Sequence, residues 1–165
     1  MGAIAIVIVS FVLMEPLTAL THRYVMHGVG RALHRSHHRR VRPGESPVRW
    51  EANDAYPVMF ATVVMAGFAT GFNVAGFGVL VPVGIGITAY GAAYALVHDV
   101  YIHGRLPLFR TRRVATFDRL ADAHLVHHRY DGAPYGMLVP VMSKTVRRSQ
   151  VSASGSRPPH VPLDA

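Results

Sequence analysis

Three long apolar stretches constrain this chain more than any other feature of its sequence. Residues 2–20, 54–72 and 77–97 are each about as long as a helix that crosses a bilayer. A buried soluble core explains them less well, because soluble helices normally keep a polar stripe. Residues 73–76 leave room only for a turn between the second and third stretches, which predicts a helical hairpin. We therefore expect an all-α integral membrane protein with about three transmembrane helices.

Two details of these stretches add expectations. No Lys or Arg precedes the first stretch, so we expect it to stay as a membrane helix and not to be removed as a signal peptide. It contains Glu15, and a carboxylate inside a membrane helix is a functional candidate. Small residues in the other two stretches are typical of close helix contact in lipid. These residues are Gly67, Gly71, Gly84, Gly86 and Gly91.

Charge predicts how the helices are oriented. The chain has a formal net charge of +8 although 50% of its residues are hydrophobic. Six arginines lie in residues 28–53, and nine more follow residue 97 with the only lysine, Lys144. Three spans place both basic regions on one side, which the positive-inside rule makes cytoplasmic. We expect a protein of the inner membrane with its N-terminus outside and its C-terminus cytoplasmic.

Ten of the eleven histidines form four tight groups on that expected cytoplasmic side. The pattern H-x4-H followed by H-x2-H-H occurs twice. Histidines at i, i+3 and i+4 share one helix face, whereas positions five apart need a helix end or a bulge to converge. Gly28 and Gly104, directly after the two H-x4-H pairs, favour such an irregularity. The ten are His22, His27, His34, His37, His38, His98, His103, His124, His127 and His128.

Ten imidazoles are too many for one ion, so we interpret them as ligands of two metal ions. Neutral imidazole suits zinc, copper, iron and nickel about equally, so residue type does not choose the metal. The absence of cysteine excludes disulfides, thiolate zinc sites and iron–sulfur clusters. A disordered histidine tract that binds metal non-specifically, or a set of surface histidines that sense pH, would not explain why the same spacing pattern occurs twice. His160 stands apart and is assigned no role.

Metal-bound histidines usually donate their second N–H to a carboxylate, carbonyl or water. The candidates for this supporting role are Asp99, Asp122, Asp54 and Asn53. Arg105 is expected to pair with a carboxylate near the third histidine group. Tyr94, Phe68 and Phe72 are candidate walls of a substrate pocket, although ordinary helix packing explains them as well.

The histidine motifs resemble those of a known family. The segments HRYVMHG, HRSHH, HDVYIHGR and AHLVHH are similar to the fatty acid hydroxylase superfamily of membrane di-iron oxygenases, and most to its branch of small bacterial carotenoid hydroxylases. The similarity covers roughly residues 15–140 and includes WEANDAYPVMFA before the second span. It implies two iron ions held by the ten histidines, O2 as co-substrate, and electrons from ferredoxin and ferredoxin reductase. It also implies hydroxylation of β-ionone ring C3, which converts β-carotene to zeaxanthin through cryptoxanthin.

The rest of the chain completes the expected organisation. Residues 112–130 read as a helix, and the apolar residues 132–142 are too short to span, so they should lie at or dip into the membrane interface. Residues 143–165 are rich in Ser, Pro and Arg and are expected to be a disordered basic tail. A membrane hydroxylase domain would therefore occupy residues 1–142.

Competing functions remain at this level. The same metal site would serve a hydroxylase, desaturase or ketolase acting on a fatty acid, a sterol or another carotenoid. A metal transporter or sensor would place metal-binding polar residues inside the spans, which carry almost none. The basic charge alone would suit a nucleic-acid binder, but such proteins are usually more polar than this chain, so we expect no nucleic acid. The expected partners are membrane lipid and a substrate that enters from the bilayer.

Overall fold

The computed structural model describes residues 2–39, 50–109 and 112–141, and in these residues all regular structure is helical. The expected tail at 143–165, and His160 within it, lie outside the described residues, so the division at residue 142 stays a prediction. The helices are α1 (Gly2–Thr21), α2 (Arg31–His34), α3 (Ala55–Asn73), α4 (Leu80–Ala95) and α5 (Ala115–Tyr130). Single turns of 3-10 helix occur at Ala52–Asp54 and Pro107–Phe109.

Three helices are long and apolar enough to cross a membrane, which confirms the expected spans. They are α1 with its extension, at Gly2–Val29, α3 with the preceding turn, at Ala52–Asn73, and α4 with its extension, at Leu80–Ile102. Large apolar side chains such as Ile4 and Val63 are 69% and 71% exposed on these helices. Such surfaces are stable in lipid and costly in water, so this is a membrane protein.

α4 is the central helix, because α1 and α3 both pack against it. Three of the five predicted glycines lie at these contacts. A Cβ on Gly86 would come within 2.5 Å of the Val7 carbonyl oxygen on α1, and one on Gly84 within 2.8 Å of the Phe68 ring on α3. A Cβ on Gly71 would come within 3.0 Å of the Val81 side chain.

The other two glycines do not serve close packing. A Cβ on Gly67 or Gly91 would meet no atom within 4 Å, so the prediction was wrong for these two positions. Glycine therefore marks the helix contacts at three positions and open surface at two.

The polar end of the molecule is built by the ends of the three spans together with α2, α5 and the segment 132–141. α5 begins at Ala115, three residues later than predicted, because Val114 is extended. Residues 132–141 form no regular helix and fold back against the spans. Their Met137 is buried in a small core with Val97, Tyr101 and Ile102.

Candidate metal centre

The two H-x4-H pairs lie in π-helical extensions of α1 and α4, at His22–Val29 and Leu96–Ile102. In a π-helix the backbone hydrogen bond joins residues five apart. The N–H of His103 donates to the carbonyl of His98 at 2.9 Å. This geometry brings the ring centroids of His98 and His103 to 4.6 Å. The irregularity that the spacing predicted is therefore present.

Glycine follows each π-helical pair, as expected. Gly104 has φ = 62°, in the left-handed region that glycine adopts most readily. Gly28 breaks the helix with φ = −103° and ψ = −116°. In the first pair, the rings of His22 and His27 lie 5.0 Å apart.

The ring nitrogens collect into two groups. Within each group, one ligand atom per histidine lies within 4.8 Å of all the others. We call the larger set group A, consisting of His22, His27, His34, His38 and His127. Group B consists of His37, His98, His103 and His124. All nine are buried or half-buried.

Each H-x2-H-H set keeps its three rings together, with centroids 4.4–6.0 Å apart, but its members divide between the two groups. In the first set, His34 and His38 join group A while His37 joins group B. In the second set, His124 joins group B while His127 joins group A. Each set therefore contributes to both groups and ties them into one centre.

His128 completes the pattern of group B. Its Nε2 lies 3.2 Å from Nε2 of His37, and its ring stacks on His38 with centroids 4.5 Å apart. Group A contains the first and third histidines of the first H-x2-H-H set, His34 and His38, and the second histidine of the other set, His127. Group B, with His128 added, contains the first and third histidines of the second set, His124 and His128, and the second histidine of the first set, His37. The two groups thus follow one plan with the sets exchanged.

The hydrogen bonds of the rings show that the facing nitrogens carry lone pairs. Nδ1–H of His22 donates to the Tyr135 carbonyl at 3.0 Å, and Nδ1–H of His34 donates to Asn53 Oδ1 at 2.7 Å. In a neutral ring the other nitrogen then has no hydrogen. Yet Nε2 of His22 and Nε2 of His34 lie only 3.0 Å apart. Two lone pairs at this distance repel unless a cation lies against them.

The same arrangement recurs at other pairs. His127 donates through Nδ1 to the Gly132 carbonyl at 2.6 Å, and His27 through Nδ1 to Asp131 Oδ1 at 3.1 Å. Their Nε2 atoms face each other at 3.1 Å. In group B, Nδ1 of His98 bonds Asp99 Oδ1 at 3.0 Å, and its Nε2 faces that of His37 at 3.0 Å. The donor set therefore fits metal ions in both groups.

Burial lowers the pKa of four of the grouped histidines and so favours their neutral form at pH 7. It lowers the pKa of His34 to about 4 and the pKa of His127 to about 3. Burial, together with the neighbouring imidazoles, also holds the pKa of His37 and of His124 well below the usual value. A neutral imidazole needs to release no proton to bind a metal ion, so the rings are prepared as ligands.

Two of the four predicted supporting residues contact histidine rings. They are Asp99, on His98, and Asn53, on His34. Asp54 instead accepts from Arg105 at 2.7 Å and from the backbone N–H of Glu51 at 2.8 Å. Arg105 thus pairs with a carboxylate as predicted.

Asp122 lies on α5 near an arginine. The hydrogen bond that Arg113 Nε donates to Asp118 Oδ2 raises the pKa of Arg113, and the nearby charge of Asp122 adds to this effect.

Sequence reasoning missed four partners. Asp131 serves His27, and Glu51 Oε2 lies 3.7 Å from Nδ1 of His37. The other two are the backbone carbonyls of Gly132 and Tyr135. Asp131 lies three residues after the last histidine group, and this closeness in sequence could have identified it as a partner of a histidine ring. Backbone carbonyls carry no signal in a sequence.

Asn53 offers a test of the residues that orient the histidine rings. Replacing Asn53 by Leu removes the acceptor that orients His34, so we expect metal affinity of group A to fall roughly 10- to 100-fold. Metal retained per chain after competition with a chelator measures this. Asn73→Leu, at the exposed far end of α3, is the matched control. Equal retention in both variants would contradict the assignment.

Comparisons with known proteins agree with this centre. The beta-carotene hydroxylase of Pseudescherichia vulneris is 43% identical over 127 residues, which make up 77% of this chain and 68% of that protein. The beta-carotene hydroxylase of Pantoea ananas is 36% identical over 159 residues, or 92% of this chain and 87% of that protein. The chloroplastic beta-carotene hydroxylase 1 of Capsicum annuum is 38% identical over 130 residues, and the match spans 40% of its length.

No solved structure matches this chain. A family model for fatty acid hydroxylases matches residues 7–147, a range that contains all ten grouped histidines. Since this match extends over most of its length, the chain belongs to the fatty acid hydroxylase family.

Proposed function

We propose that this chain is a di-iron monooxygenase that hydroxylates carotenoids at C3 of the β-ionone ring, converting β-carotene to zeaxanthin through cryptoxanthin. The observation that carries the proposal is the pair of adjacent histidine groups. In group A, bare Nε2 atoms face one another at 3.0–3.1 Å, and in group B, Nε2 of His98 lies 3.0 Å from Nε2 of His37. Family membership supports hydroxylation, and relatives named beta-carotene hydroxylases support the substrate. The family and the histidine groups together indicate a metal-dependent oxygenase.

Iron fits the reaction better than the other imidazole-bound metals. Two iron ions bound by groups A and B would supply the redox chemistry that activates O2 toward an unactivated C–H bond, which zinc does not. The chain's own residues hold and orient the ligands. Asn53 and Asp99 lock the rings of His34 and His98 through Nδ1, so that Nε2 points inward.

The electron balance requires a separate reductant. Reduction of O2 to water takes four electrons, of which the C–H bond supplies two. The chain has no cysteine for an iron–sulfur cluster and no G-x-G-x-x-G motif for a dinucleotide. We therefore propose ferredoxin and ferredoxin reductase as donors. Arginines at the histidine end would steer an acidic partner; they are Arg23, Arg31, Arg35, Arg39, Arg112, Arg113, Arg119 and Arg129.

The same arginines support the proposed topology. α1 and α4 end, and α3 begins, beside the histidine groups, so the N-terminus and the turn after Asn73 lie at the other end. We propose that the histidine end faces the cytoplasm from the inner membrane, with the N-terminus outside.

A C40 hydrocarbon substrate would enter from the bilayer. Of the predicted pocket walls, Tyr94 has its ring centroid 5.0 Å from that of His98. Phe68 packs against Gly84 and Phe72, about four turns of α4 from the site, so these two phenylalanines serve the hairpin. The ring contact with His98 therefore supports Tyr94 as a wall of the proposed substrate pocket.

Pigment chromatography tests the proposal. The chain is expressed in a bacterium that accumulates β-carotene, beside the same strain carrying an empty vector. We expect new polar pigments with the masses of mono- and dihydroxylated carotene. Ketone products would keep the centre and change the reaction. Unchanged β-carotene, with metal-loaded protein in the membrane, would contradict the carotenoid assignment and direct the search to fatty acids and sterols.

A further inference from the structure

The carboxylate of Glu15 lies inside the first span, seven residues before His22, and three groups donate to it. The Tyr90 hydroxyl on α4 donates to Oε2 at 2.6 Å. The backbone N–H of Leu138 donates to Oε2 at 3.1 Å, and that of Val139 donates to Oε1 at 2.9 Å. Glu15 thus joins α1, α4 and the segment 132–141.

Tyr90 makes this junction rigid. It is 2% exposed, and its hydroxyl also lies 2.8 Å from Oγ1 of Thr18. Thr18 Oγ1 donates in turn to the Met14 carbonyl at 2.7 Å. The carboxylate on α1 is therefore held by Tyr90 of α4, whose hydroxyl in turn contacts Thr18 of α1.

The segment 132–141 needs such an acceptor. It has no regular helix, so its backbone N–H groups must find partners outside the segment, because an unpaired N–H is destabilising in an apolar environment. Gly136 shows how closely the chain approaches, because a Cβ there would lie 2.6 Å from Glu15 Oε1. The next residue, Met137, is 4% exposed and fills the small core.

The segment carries two of the backbone groups that orient group A. The Tyr135 carbonyl accepts from His22, and the Gly132 carbonyl accepts from His127. The Tyr135 ring also packs on three histidines of group A, with centroids 5.4–5.6 Å from those of His22, His27 and His127. Whatever holds the segment in place therefore also orients group A.

We propose that Glu15 is a positioning residue that anchors segment 132–141 over group A from within the membrane. It contacts no ligand itself and acts through the backbone of Leu138 and Val139. Its loss should release the segment and loosen group A, while group B, supported by Asp99 and Glu51, remains. The part that concerns metal rests on the proposed metal centre, whereas the anchoring does not.

Thiol labelling tests the anchoring without metal or substrate. The chain has no cysteine, so Met137→Cys creates a single reporter. In isolated membranes we expect slow reaction with N-ethylmaleimide, and a roughly tenfold faster reaction when Glu15→Gln is added, because an amide cannot accept from all three donors. Gly136→Ala should have the same effect by displacing the carboxylate. Ala123→Cys, at a position 1% exposed on α5, reports on general unfolding and should stay protected in both backgrounds.

Metal analysis supplies the second measurement. We expect the Glu15→Gln variant to hold about one metal ion per chain where the parent holds two. Unchanged Met137→Cys labelling would overturn the anchor, and so would equal acceleration at Ala123→Cys, which would show collapse of the whole fold. Faster labelling restricted to Met137→Cys would support the anchor even if the natural substrate proved to be a lipid other than a carotenoid.

Discussion

Replacing His127 by alanine is expected to reduce carotenoid hydroxylation at least about 100-fold, to below detection in pigment extracts. His127 is 0% exposed, and its Nε2 lies 3.1 Å from that of His27. The substitution removes one of the five nitrogens of group A and leaves the Gly132 carbonyl without its donor. The rings of His22, His27 and His34 cannot move to replace it, because each is oriented by its own Nδ1 hydrogen bond.

Two measurements check this result. Pigment chromatography follows the product, and elemental analysis of the purified protein should show loss of the metal held by group A. His160→Ala is the matched control, since this histidine lies outside the four groups and outside the matched family range. Product formation by the His127→Ala variant at more than a tenth of the parent level would remove His127 from the proposed ligand set.

Replacing Gly86 by leucine is expected to prevent α1 from packing on α4, with loss of folded protein. A Cβ at this position would lie 2.5 Å from the Val7 carbonyl oxygen, 2.7 Å from Ser10 Cβ and 3.1 Å from the Phe11 nitrogen. Two of these atoms belong to the backbone of α1, so no side-chain rotation relieves the clash. Even Gly86→Ala should lower the free energy of unfolding by about 1–3 kcal/mol through overpacking.

Gly91 provides the matched control on the same helix. A Cβ there meets no atom within 4 Å, so Gly91→Ala should be neutral or should stabilise α4 by up to about 1 kcal/mol through helix propensity. Fluorescence-detected size exclusion after heating in detergent compares the variants. If Gly86→Leu and Gly91→Leu gave the same yield and the same thermal midpoint, the α1–α4 contact described here would be wrong.

The transmembrane architecture could be predicted from the sequence because lipid imposes a simple rule. A segment in hydrocarbon must satisfy its own backbone groups, so an apolar run of bilayer length becomes a helix whatever its neighbours are. The hairpin of α3 and α4 followed from the short connection, which was predicted at residues 73–76 and lies at residues 74–79. The role of each glycine did not follow, since Gly86 and Gly91 look alike in sequence and differ only in whether α1 lies against them.

The sequence could predict that the grouped histidines come together, but it could not predict how they divide between group A and group B. Spacing predicted that ten histidines converge and indicated that the H-x4-H pairs need an irregular helix, which the π-helical extensions provide. How the H-x2-H-H sets divide between the two groups depends on which neighbouring element each ring meets. His37 turns toward His98 while His34 turns toward His22. Spacing along one helix cannot contain that information.

The sequence by itself determined that the chain enters a membrane and that its four histidine groups gather at one end of the spans, and it predicted that they bind metal. These properties depend on composition and on spacing over a few turns of helix. Only the tertiary structure decided the sorting of ligands and the role of Glu15, whose partners Tyr90 and Val139 lie 75 and 124 residues further along the chain. Contacts over such separations are set by how the helices pack, and no local pattern encodes them.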